Sequence, residues 1–513
     1  MKVSVNWDKL RNGTDIRGVA LEGVEGEKIN LTEDVAKILG ASFAVWLSEK
    51  TKMNLSKLKV SIGIDSRLSG DKIKNAIIDG ISSLGCKVYD CGMASTPAMF
   101  MTTIIDAYKF HGAIMVTASH LPFNKNGMKF FTRDGGIQKE DIIEVVSIAK
   151  LNNFNWQEKK GEIKSIDFIS EYSDVLVKKI RREVNDPIDK LKPLRDFKII
   201  VDAGNGAGGF FVDKVLRVLG ADTEGSQFIE PDGRFPNHIP NPENKEAMES
   251  IKNAVLKNKA DLGIIFDTDV DRAAVVDREG NEINRNRLIA LMASIVLEEH
   301  PQSVIVTDSV TSNGLKVFIE NKLSGIHHRF KRGYKNVINE AIRLNNENKQ
   351  SWLAIETSGH GALKENYFLD DGAYLVSKIL IKMAKLKLEK NKVLHSLIED
   401  LEEPLESDEF RLKIKCDDFN EYGDKIIKDL REYLEQKEGW AIVPDNYEGI
   451  RVSCDKGYGC GWFLLRISLH DPVMPLNIES NSNGGVKFII SSLIEFLSRY
   501  KELDLTNIRQ NIK

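Results

Sequence analysis

The sequence has few cysteines and little net charge for its length. Its 513 residues include only five cysteines, which are scattered along the chain. An odd, scattered set does not form a disulfide framework, so the pattern favours a reducing compartment. With 72 basic residues (Lys and Arg) against 76 acidic ones, the net charge of −4 gives no bulk attraction to nucleic acid or to an anionic membrane. An anionic ligand must therefore be held by local groups.

Long apolar segments are also absent from the sequence. No run approaches the roughly 18 apolar residues of a membrane span, and the segment Met1 to Lys9 contains no apolar signal core. We therefore expect a cytoplasmic protein with no nucleic-acid or membrane partner. What is present is an ordinary globular balance, with 42% hydrophobic and 29% charged residues. The chain is about three to four times the usual domain length, so several domains are expected, whereas the oligomeric state does not follow from the sequence.

A weak internal repeat runs through most of the chain. Three apolar strands end on an aspartate, at Asp65, Asp202 and Asp308, and each is followed later by a second apolar strand that leads into a polar loop. Amphipathic segments lie between such strands, an alternation typical of α/β domains with mixed or parallel sheets. We predict three related α/β domains with mixed sheets and a C-terminal α+β domain, at residues 1–155, 156–302, 303–408 and 409–513.

The loop Thr117–Lys129 combines groups that suit covalent catalysis. Ser119 stands at a predicted strand end and is followed by His120, and a glycine-containing segment leads back to Lys129. A nucleophilic oxygen, a titratable imidazole and an ammonium group then share one turn. Adjacent Ser and His are weak evidence alone, because catalytic groups are assembled in space rather than by adjacency. A polar loop that closes on itself is the structural alternative.

Three carboxylates follow the apolar run 262–266 at alternate positions, Asp267, Asp269 and Asp271. Oxygen ligands without cysteine or histidine suit Mg²⁺ or Mn²⁺. A solvated acidic turn is the alternative, but three carboxylates so close together repel one another unless a cation lies among them. The pattern therefore favours a metal site.

A third loop and several basic segments could bind a phosphorylated sugar. Glu356, Ser358 and His360 supply a carboxylate, a hydroxyl and an imidazole within five residues, which can bracket the hydroxyls of a sugar, although Ser358 could equally cap a helix. Arginine with a neighbouring hydroxyl makes a good phosphate clamp. The candidates for such a clamp are Arg17, Arg332, Lys335, Arg466 and Ser468. Each of them could also be an ordinary surface residue.

The segment Gly204–Gly209 offers a different function. It fits the pattern GxGxxG after a predicted strand, and Asp222 follows at about the distance of a ribose-binding acid. This is the basis for the alternative of an NAD(P)-dependent oxidoreductase. Because the segment around Asp222 is a poor strand and the glycine pattern is common, a structural turn is the favoured interpretation.

Taken together and in this order, these segments resemble the α-D-phosphohexomutase superfamily over nearly the whole chain. The resemblance rests on Gly13–Gly18, Thr117–Lys129, Asp267–Arg272, Glu356–His360 and the loop that opens at Arg466. It implies four domains around a central cleft and an isomerase of carbohydrate metabolism that acts as an intramolecular phosphotransferase. Such an enzyme interconverts hexose 1-phosphate and hexose 6-phosphate through a phosphoserine and a hexose bisphosphate. The segments 356–360 and 368–372 look most like the phosphoglucomutase/phosphomannomutase branch.

The resemblance also implies roles for individual residues. Ser119 would carry the phosphoryl group, and Mg²⁺ would bind the phosphoserine together with the three aspartates of the loop 267–271. Lys129 and His120 would handle protons and charge, with Arg17 and Arg272 beside the transferred group. The residues implied in binding the sugar and its second phosphate are Arg332, Lys335, Glu356, Ser358, His360, Arg466, Ser468 and His470.

The C-terminal loop departs from the family pattern. Relatives commonly show a small residue or Asn, then Thr and Glu, where this chain has Leu469, His470 and Asp471. Arg466 and Ser468 are retained, so a phosphate can still be held, but the preferred sugar does not follow. The departure leaves a second alternative open, a non-catalytic relative that binds sugar phosphates.

Overall fold

The computed structural model describes residues 5–389, 392–468 and 471–510, which form two compact units. The first unit comprises Met1–Ile295 and Ser358–Leu397, and the second comprises Val296–Thr357 and Ile398–Lys513. All five cysteines are free thiols. In the described part of the chain, no helix has the length and apolar character needed to cross a membrane. The cytoplasmic location stays a prediction.

A mixed sheet near the start of the chain carries the Ser119 loop. Its strands are β1 (Arg11–Asn12), β2 (Asp15–Val19), β3 (Lys59–Ile64), β4 (Lys87–Met93), β5 (Gly112–Val116), β6 (Lys125–Thr132), β7 (Gly135–Gly136) and β8 (Ile163–Ser165). Its helices are α1 (Glu33–Thr51), α2 (Gly70–Ser82), α3 (Thr96–Met101) and α4 (Lys139–Leu151). The strand order is β1-β2-β6-β5-β3-β4-β8, with β7 beside β6. Strand β5 is parallel to β3 and buried at every residue, as in sheets covered on both faces.

A second sheet of the first unit carries the three aspartates. Its strands are β9 (Ile199–Asp202), β10 (Leu262–Phe266), β11 (Ala273–Asp277) and β12 (Glu282–Ile283), in the order β12-β11-β10-β9. Its helices are α5 (Phe168–Val184), α6 (Lys245–Asn258) and α7 (Arg285–Glu299). Strands β9 and β10 are parallel, whereas β10 and β11 are antiparallel. The aspartates therefore occupy the connection between two fully buried neighbouring strands.

The third repeat begins in the second unit. It contains the parallel strands β13 (Val304–Thr307), β14 (Ile326–Arg329) and β15 (Ser351–Ile355), with helices α8 (Asn313–Val317) and α9 (Tyr334–Asn346). The following antiparallel hairpin of β16 (Gly361–Leu363) and β17 (Leu369–Asp370), together with helix α10 (Gly372–Leu388), belongs to the first unit. Asp371 caps α10 by accepting a hydrogen bond from the Tyr374 N–H at 2.9 Å.

The C-terminal part of the second unit is an antiparallel sheet with helices. Its strands are β18 (Glu406–Lys413), β19 (Trp440–Ile442), β20 (Ile450–Cys454), β21 (Gly461–Leu465) and β22 (Val473–Ser480), in the order β18-β22-β21-β20-β19. Its helices are α11 (Phe419–Leu434), α12 (Gly485–Leu497) and α13 (Thr506–Gln510). These elements share one apolar core, to which Leu412, Phe463 and Ile489 contribute fully buried side chains.

The predicted fold class is confirmed. In each of the three repeats, the strand that ends at or just before an aspartate is parallel to the second predicted strand, as β3 is to β5, β9 to β10 and β13 to β15. The C-terminal sheet is antiparallel and packs with helices, as expected for an α+β domain. The four domain boundaries stay predictions.

Candidate active site in the first unit and candidate anion-binding groups in the second

Ser119 is held in an unusual backbone conformation just after strand β5. Its φ is 50°, in the left-handed region that non-glycine residues seldom adopt. The Ser119 N–H donates to Thr117 Oγ1 at 2.8 Å, and the Thr117 hydroxyl donates to the buried Asp65 carboxylate at 2.6 Å. The aspartate that follows β3 therefore fixes the strained turn that presents Ser119, and strain of this kind is common at functional sites.

Arg67 holds the rest of this loop and was not predicted from the sequence. Its buried guanidinium donates to the carbonyls of Ser119, of Leu121 at 2.5 Å, of Pro122 at 2.8 Å and of Lys125 at 2.9 Å. Burial lowers the pKa of Arg67. The one available signal was an arginine two positions after a strand-terminal aspartate, a pattern too common to indicate this role.

The three predicted aspartates meet in one buried cluster. Asp267, Asp269 and Asp271 offer carboxylate oxygens within 4.8 Å of one another, and all three are buried. Val270, between the last two, has a φ of 66°, an outlier for a β-branched residue. The Ser119 hydroxyl donates to Asp267 Oδ2 at 3.0 Å. The structure thus places the predicted nucleophile directly against the predicted metal ligands.

The cluster fits a cation. Asp269 Oδ1 and Asp271 Oδ1 are buried, and neither has a hydrogen-bond partner in the described part of the chain. A buried carboxylate oxygen without a hydrogen bond is costly, so two of them in one cluster suit a positively charged ligand. Oxygen donors alone suit Mg²⁺ and similar hard cations. A metal site is therefore supported by the geometry, whereas the identity of the metal belongs to the proposal below.

Lys129 and Arg272 supply the positive charges that the structure shows at this cluster. Lys129 Nζ lies 2.9 Å from Asp269 Oδ2 and 2.5 Å from Asp271 Oδ2, and Arg272 Nε lies 3.1 Å from Asp267 Oδ2. Burial, together with the charge of Asp271, raises the pKa of Asp267 well above its usual range. Burial would also raise the pKa of Asp271, but Lys129, His360 and Arg272 hold it below the ordinary value.

Arg272 also fixes the protonation state of His120. Its Nη2 donates to His120 Nδ1 at 2.7 Å, and its Nη1 donates to Asn241 Oδ1 at 2.9 Å. Burial and the positive charge of Arg272 lower the pKa of His120 to about 3. His120 is therefore neutral near pH 7, with its proton on Nε2 because Nδ1 accepts a hydrogen bond. Arg17 pairs with Asp15 at 3.1 Å beside the same loop.

The histidine of the third loop lies against the aspartate cluster. His360 Nδ1 is 2.8 Å from the Ser358 hydroxyl oxygen, and His360 Nε2 is 3.8 Å from Asp271 Oδ1 and 3.6 Å from Asp370 Oδ2. Asp271, His360 and Asp370 form a second group whose donor atoms could share a cation. Gly372 lies against the loop that carries the aspartates, because an added Cβ would be 2.7 Å from the Arg272 carbonyl oxygen.

Other predicted binding residues lie in the second unit. Glu356 Oε1 accepts a hydrogen bond from the Gly333 N–H at 2.6 Å, beside the start of α9, which also carries Lys335. Arg332 Nη1 is 3.9 Å from Glu409 Oε2. Glu356 and the segment from Arg332 to Lys335 are therefore neighbours in the fold, although they lie in separate stretches of the sequence.

The C-terminal loop, predicted to bind phosphate, is partly described. Arg466 is buried at the end of β21, and its Nε lies 3.2 Å from Glu448 Oε1. Ser468 Oγ accepts a hydrogen bond from the Asp471 N–H at 3.4 Å. His470, predicted to contribute a further donor, lies outside the described residues together with Leu469. Glu448 is a partner of Arg466 that sequence reasoning missed.

The glycine-rich segment is a structural turn. The N–H groups of Gly204, Asn205, Gly206 and Ala207 donate to Asp202 Oδ1 and to the carbonyls of residues 228, 203 and 268, at 2.7 to 2.9 Å. A Cβ at Gly206 would lie 2.7 Å from the Thr268 carbonyl oxygen, so this glycine permits close backbone packing. These four N–H groups already have acceptors within the protein, so the geometry does not support the oxidoreductase alternative.

Known proteins match nearly the whole chain. Family models described as phosphoglucomutase/phosphomannomutase, alpha/beta/alpha domains I, II and III, match residues 8–154, 171–280 and 284–404. The chain is 30% identical over 496 residues to a phosphoglucomutase/phosphomannomutase of Thermococcus kodakarensis, covering 95% of this chain and 98% of the relative. It is 29% identical to a phosphomannomutase/phosphoglucomutase of Pseudomonas syringae, with 94% and 93% covered.

A solved structure shows the same similarity in three dimensions. A phosphoglucomutase/phosphomannomutase family protein of Burkholderia thailandensis matches with a TM-score of 0.76 and 26% identity, over 95% of this chain and 97% of the other. The fold and the serine and aspartate loops define an intramolecular phosphotransferase of the α-D-phosphohexomutase superfamily. Within that superfamily, the chain belongs to the phosphoglucomutase/phosphomannomutase family. The resemblance drawn from the sequence is confirmed.

Proposed function

We propose that this enzyme interconverts the 1-phosphates and 6-phosphates of glucose and mannose through a phosphoserine at Ser119 and a hexose bisphosphate. The observation that carries the proposal is the hydrogen bond of 3.0 Å between Ser119 Oγ and Asp267, in a buried cluster of three carboxylates. The choice of sugars is supported by relatives named for both phosphoglucomutase and phosphomannomutase activity.

The proposed reaction consists of two opposite transfers. In the first, the P–O bond to Ser119 Oγ breaks as a P–O bond forms to a free hydroxyl oxygen of the sugar phosphate. The sugar hydroxyl loses its proton, and Ser119 Oγ gains one, so the transfer is balanced without an outside acid or base. The second transfer runs in reverse from the other phosphate of the bisphosphate and restores the phosphoserine. Such transfers depend on positioning and charge stabilisation.

The chain supplies these charges from fixed positions. Lys129 and Arg272 are held by the buried aspartates, so both cations are preorganised for a phosphoryl group at Ser119. His120 is neutral, so we assign it proton relay together with Lys129, and we assign Arg17 to charge stabilisation. The metal proposed is Mg²⁺, held by the three aspartates and the phosphorylated serine. When bound, it would neutralise negative charge on the transferred group.

The remaining predicted residues are assigned to the sugar and the phosphate that is not transferred. Glu356, Ser358 and His360 would bind sugar hydroxyls. Arg466 would bind the phosphate that is not transferred in both orientations of the bisphosphate, because the two phosphates exchange roles between the two transfers. The other groups proposed for this anchor are Arg332, Lys335, Ser468 and His470.

The experiment is a coupled mutase assay with glucose 1-phosphate and mannose 1-phosphate, in Mg²⁺ and a trace of bisphosphate. We expect both to turn over and Ser119 to be partly phosphorylated by intact mass and peptide mapping. Ser119→Ala should abolish both, whereas the exposed Ser147→Ala on α4 should not. Full activity in Ser119→Ala would refute the mechanism, and activity confined to amino-sugar phosphates would refute the sugar assignment. Phosphorylation of Ser119 without turnover would instead indicate the non-catalytic relative.

A further inference from the structure

Glu448 joins three elements of the second unit through one carboxylate. Its Oε2 accepts hydrogen bonds from the Ser309 hydroxyl at 3.0 Å and from the Arg332 N–H at 2.6 Å. Its Oε1 lies 3.2 Å from Arg466 Nε. The loop after β13, the segment before α9 and the end of β21 therefore meet at this side chain.

The backbone beside Glu448 lies close to the backbone of Arg466. Gly449 has a φ of 54°, in the left-handed region that favours glycine. A Cβ at this position would lie 2.2 Å from the Leu465 carbonyl oxygen and 2.7 Å from Arg466 Cα. Only glycine allows the chain to pass so close to the backbone of Arg466. The glycine therefore fixes where the preceding carboxylate stands.

This carboxylate offsets part of the effect of burial on Arg466. Burial lowers the pKa of Arg466, and the charge of Arg332 acts in the same direction, whereas Glu448 is the strongest nearby charge that opposes them. The ion pair lies at Nε, which makes no hydrogen bond in the described part of the chain, so the contact with Glu448 is one of charge. Glu448 approaches Nε rather than the two terminal nitrogens of Arg466, which are the pair that can bind an oxyanion.

We propose that Glu448 is a positioning residue for phosphate binding at Arg466. Its negative charge attracts the guanidinium from the Nε side, while Ser309 and the Arg332 N–H hold the carboxylate in place. The terminal nitrogens of Arg466 are then preorganised as a fork for two oxygens of a phosphate monoester. This inference rests on the proposed function, because it assumes that Arg466 anchors the phosphate that is not transferred.

The kinetic test compares Glu448→Gln with Ser309→Ala and with Asp445→Asn. Asp445 is exposed in the same loop, so Asp445→Asn removes the same charge without touching Arg466. We expect Glu448→Gln to raise KM for glucose 1-phosphate about 10-fold, the size of effect that supporting residues of a binding site have. Because the anchored phosphate is bound equally in the ground and transition states, kcat should stay within about twofold. Ser309→Ala should raise KM less, and Asp445→Asn should leave it unchanged.

A binding measurement makes the test independent of turnover. Thermal unfolding is followed during a titration with inorganic phosphate, without Mg²⁺, and the part of the stabilisation that Arg466→Ala abolishes defines the site. We expect Glu448→Gln to weaken phosphate binding at this site about 10-fold. Unchanged or tighter phosphate binding by Glu448→Gln would overturn the inference, since the carboxylate would then be idle or a competitor of phosphate.

Further outcomes are also decisive. If Glu448→Gln does not fold, as judged by circular dichroism, Ser309→Ala decides, because it keeps the charge pair and removes only a hydrogen bond to the carboxylate. An unchanged KM and unchanged phosphate binding in Ser309→Ala would then overturn the inference. The wild-type protein could convert no hexose phosphate and yet bind phosphate at a site that Glu448→Gln weakens. In that case the proposed function fails while the role of Glu448 stands.

Discussion

Replacing Lys129 by Met removes a cation from the cluster of buried carboxylates. The Lys129 ammonium is 2.9 Å from Asp269 Oδ2, and its side chain is only 7% exposed. At an effective dielectric constant of about 20, this pair attracts by roughly 6 kcal/mol. Breaking a buried pair by removing one partner costs about 3–5 kcal/mol. At roughly 2 °C per kcal/mol for a large domain, the metal-free variant should begin to unfold about 6 °C or more below the wild type.

Magnesium should reverse much of this loss. Without Lys129 the carboxylates lack a positive charge, so added Mg²⁺ should raise the unfolding temperature of Lys129→Met more than that of the wild type. Differential scanning fluorimetry, with a chelator and then with Mg²⁺, measures both effects.

Lys125 on the same strand provides a matched control for Lys129. It pairs with Glu27 at 2.7 Å in a partly exposed position. Lys125→Met should cost no more than about 1 kcal/mol. Equal unfolding temperatures for Lys129→Met and wild type in chelator, or equal stabilisation by Mg²⁺, would refute the reasoning.

Three further predictions concern buried polar contacts of the first unit. Arg67→Lys removes a fork that binds four carbonyls of the Ser119 loop, so kcat should fall about 100-fold while circular dichroism stays unchanged. Tyr172→Phe removes a buried hydrogen bond of 2.6 Å to Asp371 and should cost about 1–3 kcal/mol in urea unfolding. Burial would lower the pKa of His238, but the neighbouring Asp202 raises it above 6.5. The ion pair of His238 with Asp202 therefore stabilises the fold fully below about pH 6.5, and this contribution is lost as pH rises through the raised pKa. The difference in unfolding free energy between wild type and His238→Gln should therefore shrink from about pH 6 to about pH 8, and a difference independent of pH would contradict this.

Residues that act from a strand end could be predicted from the sequence. Ser119 lies three positions after an apolar strand, and the aspartates begin directly after another, so their position at the edge of a sheet follows from the local pattern. Their meeting, at 3.0 Å between Ser119 and Asp267, joins positions 148 residues apart and could be expected only from the family resemblance.

Residues that act through the backbone of another segment could not be predicted. Arg67 binds carbonyls more than 50 positions away. Because every residue has a backbone carbonyl, the sequence does not show which carbonyls an arginine will bind. Glu448 is recognised by an N–H group and a hydroxyl, 116 and 139 positions away. At Gly204–Gly209 the favoured interpretation, a structural turn, agrees with the structure, but the glycine pattern alone could not exclude the alternative. A sequence does not distinguish a glycine that approaches a ligand from one that approaches a neighbouring backbone segment.

The repeat explains why one scaffold carries such different loops. Asp65 accepts the Thr117 hydroxyl at 2.6 Å in the first repeat, and Asp308 accepts the Thr357 hydroxyl at 2.6 Å in the third. The two repeats therefore use the same aspartate and threonine to fix the loop after the second strand. In the second repeat, Asp202 instead supports its own neighbouring turn. Since the support is shared, we expect the different roles proposed for the two loops, phosphoryl transfer and sugar binding, to depend on the one or two residues beside the threonine. Substitutions at these positions should therefore change the chemistry without changing the fold.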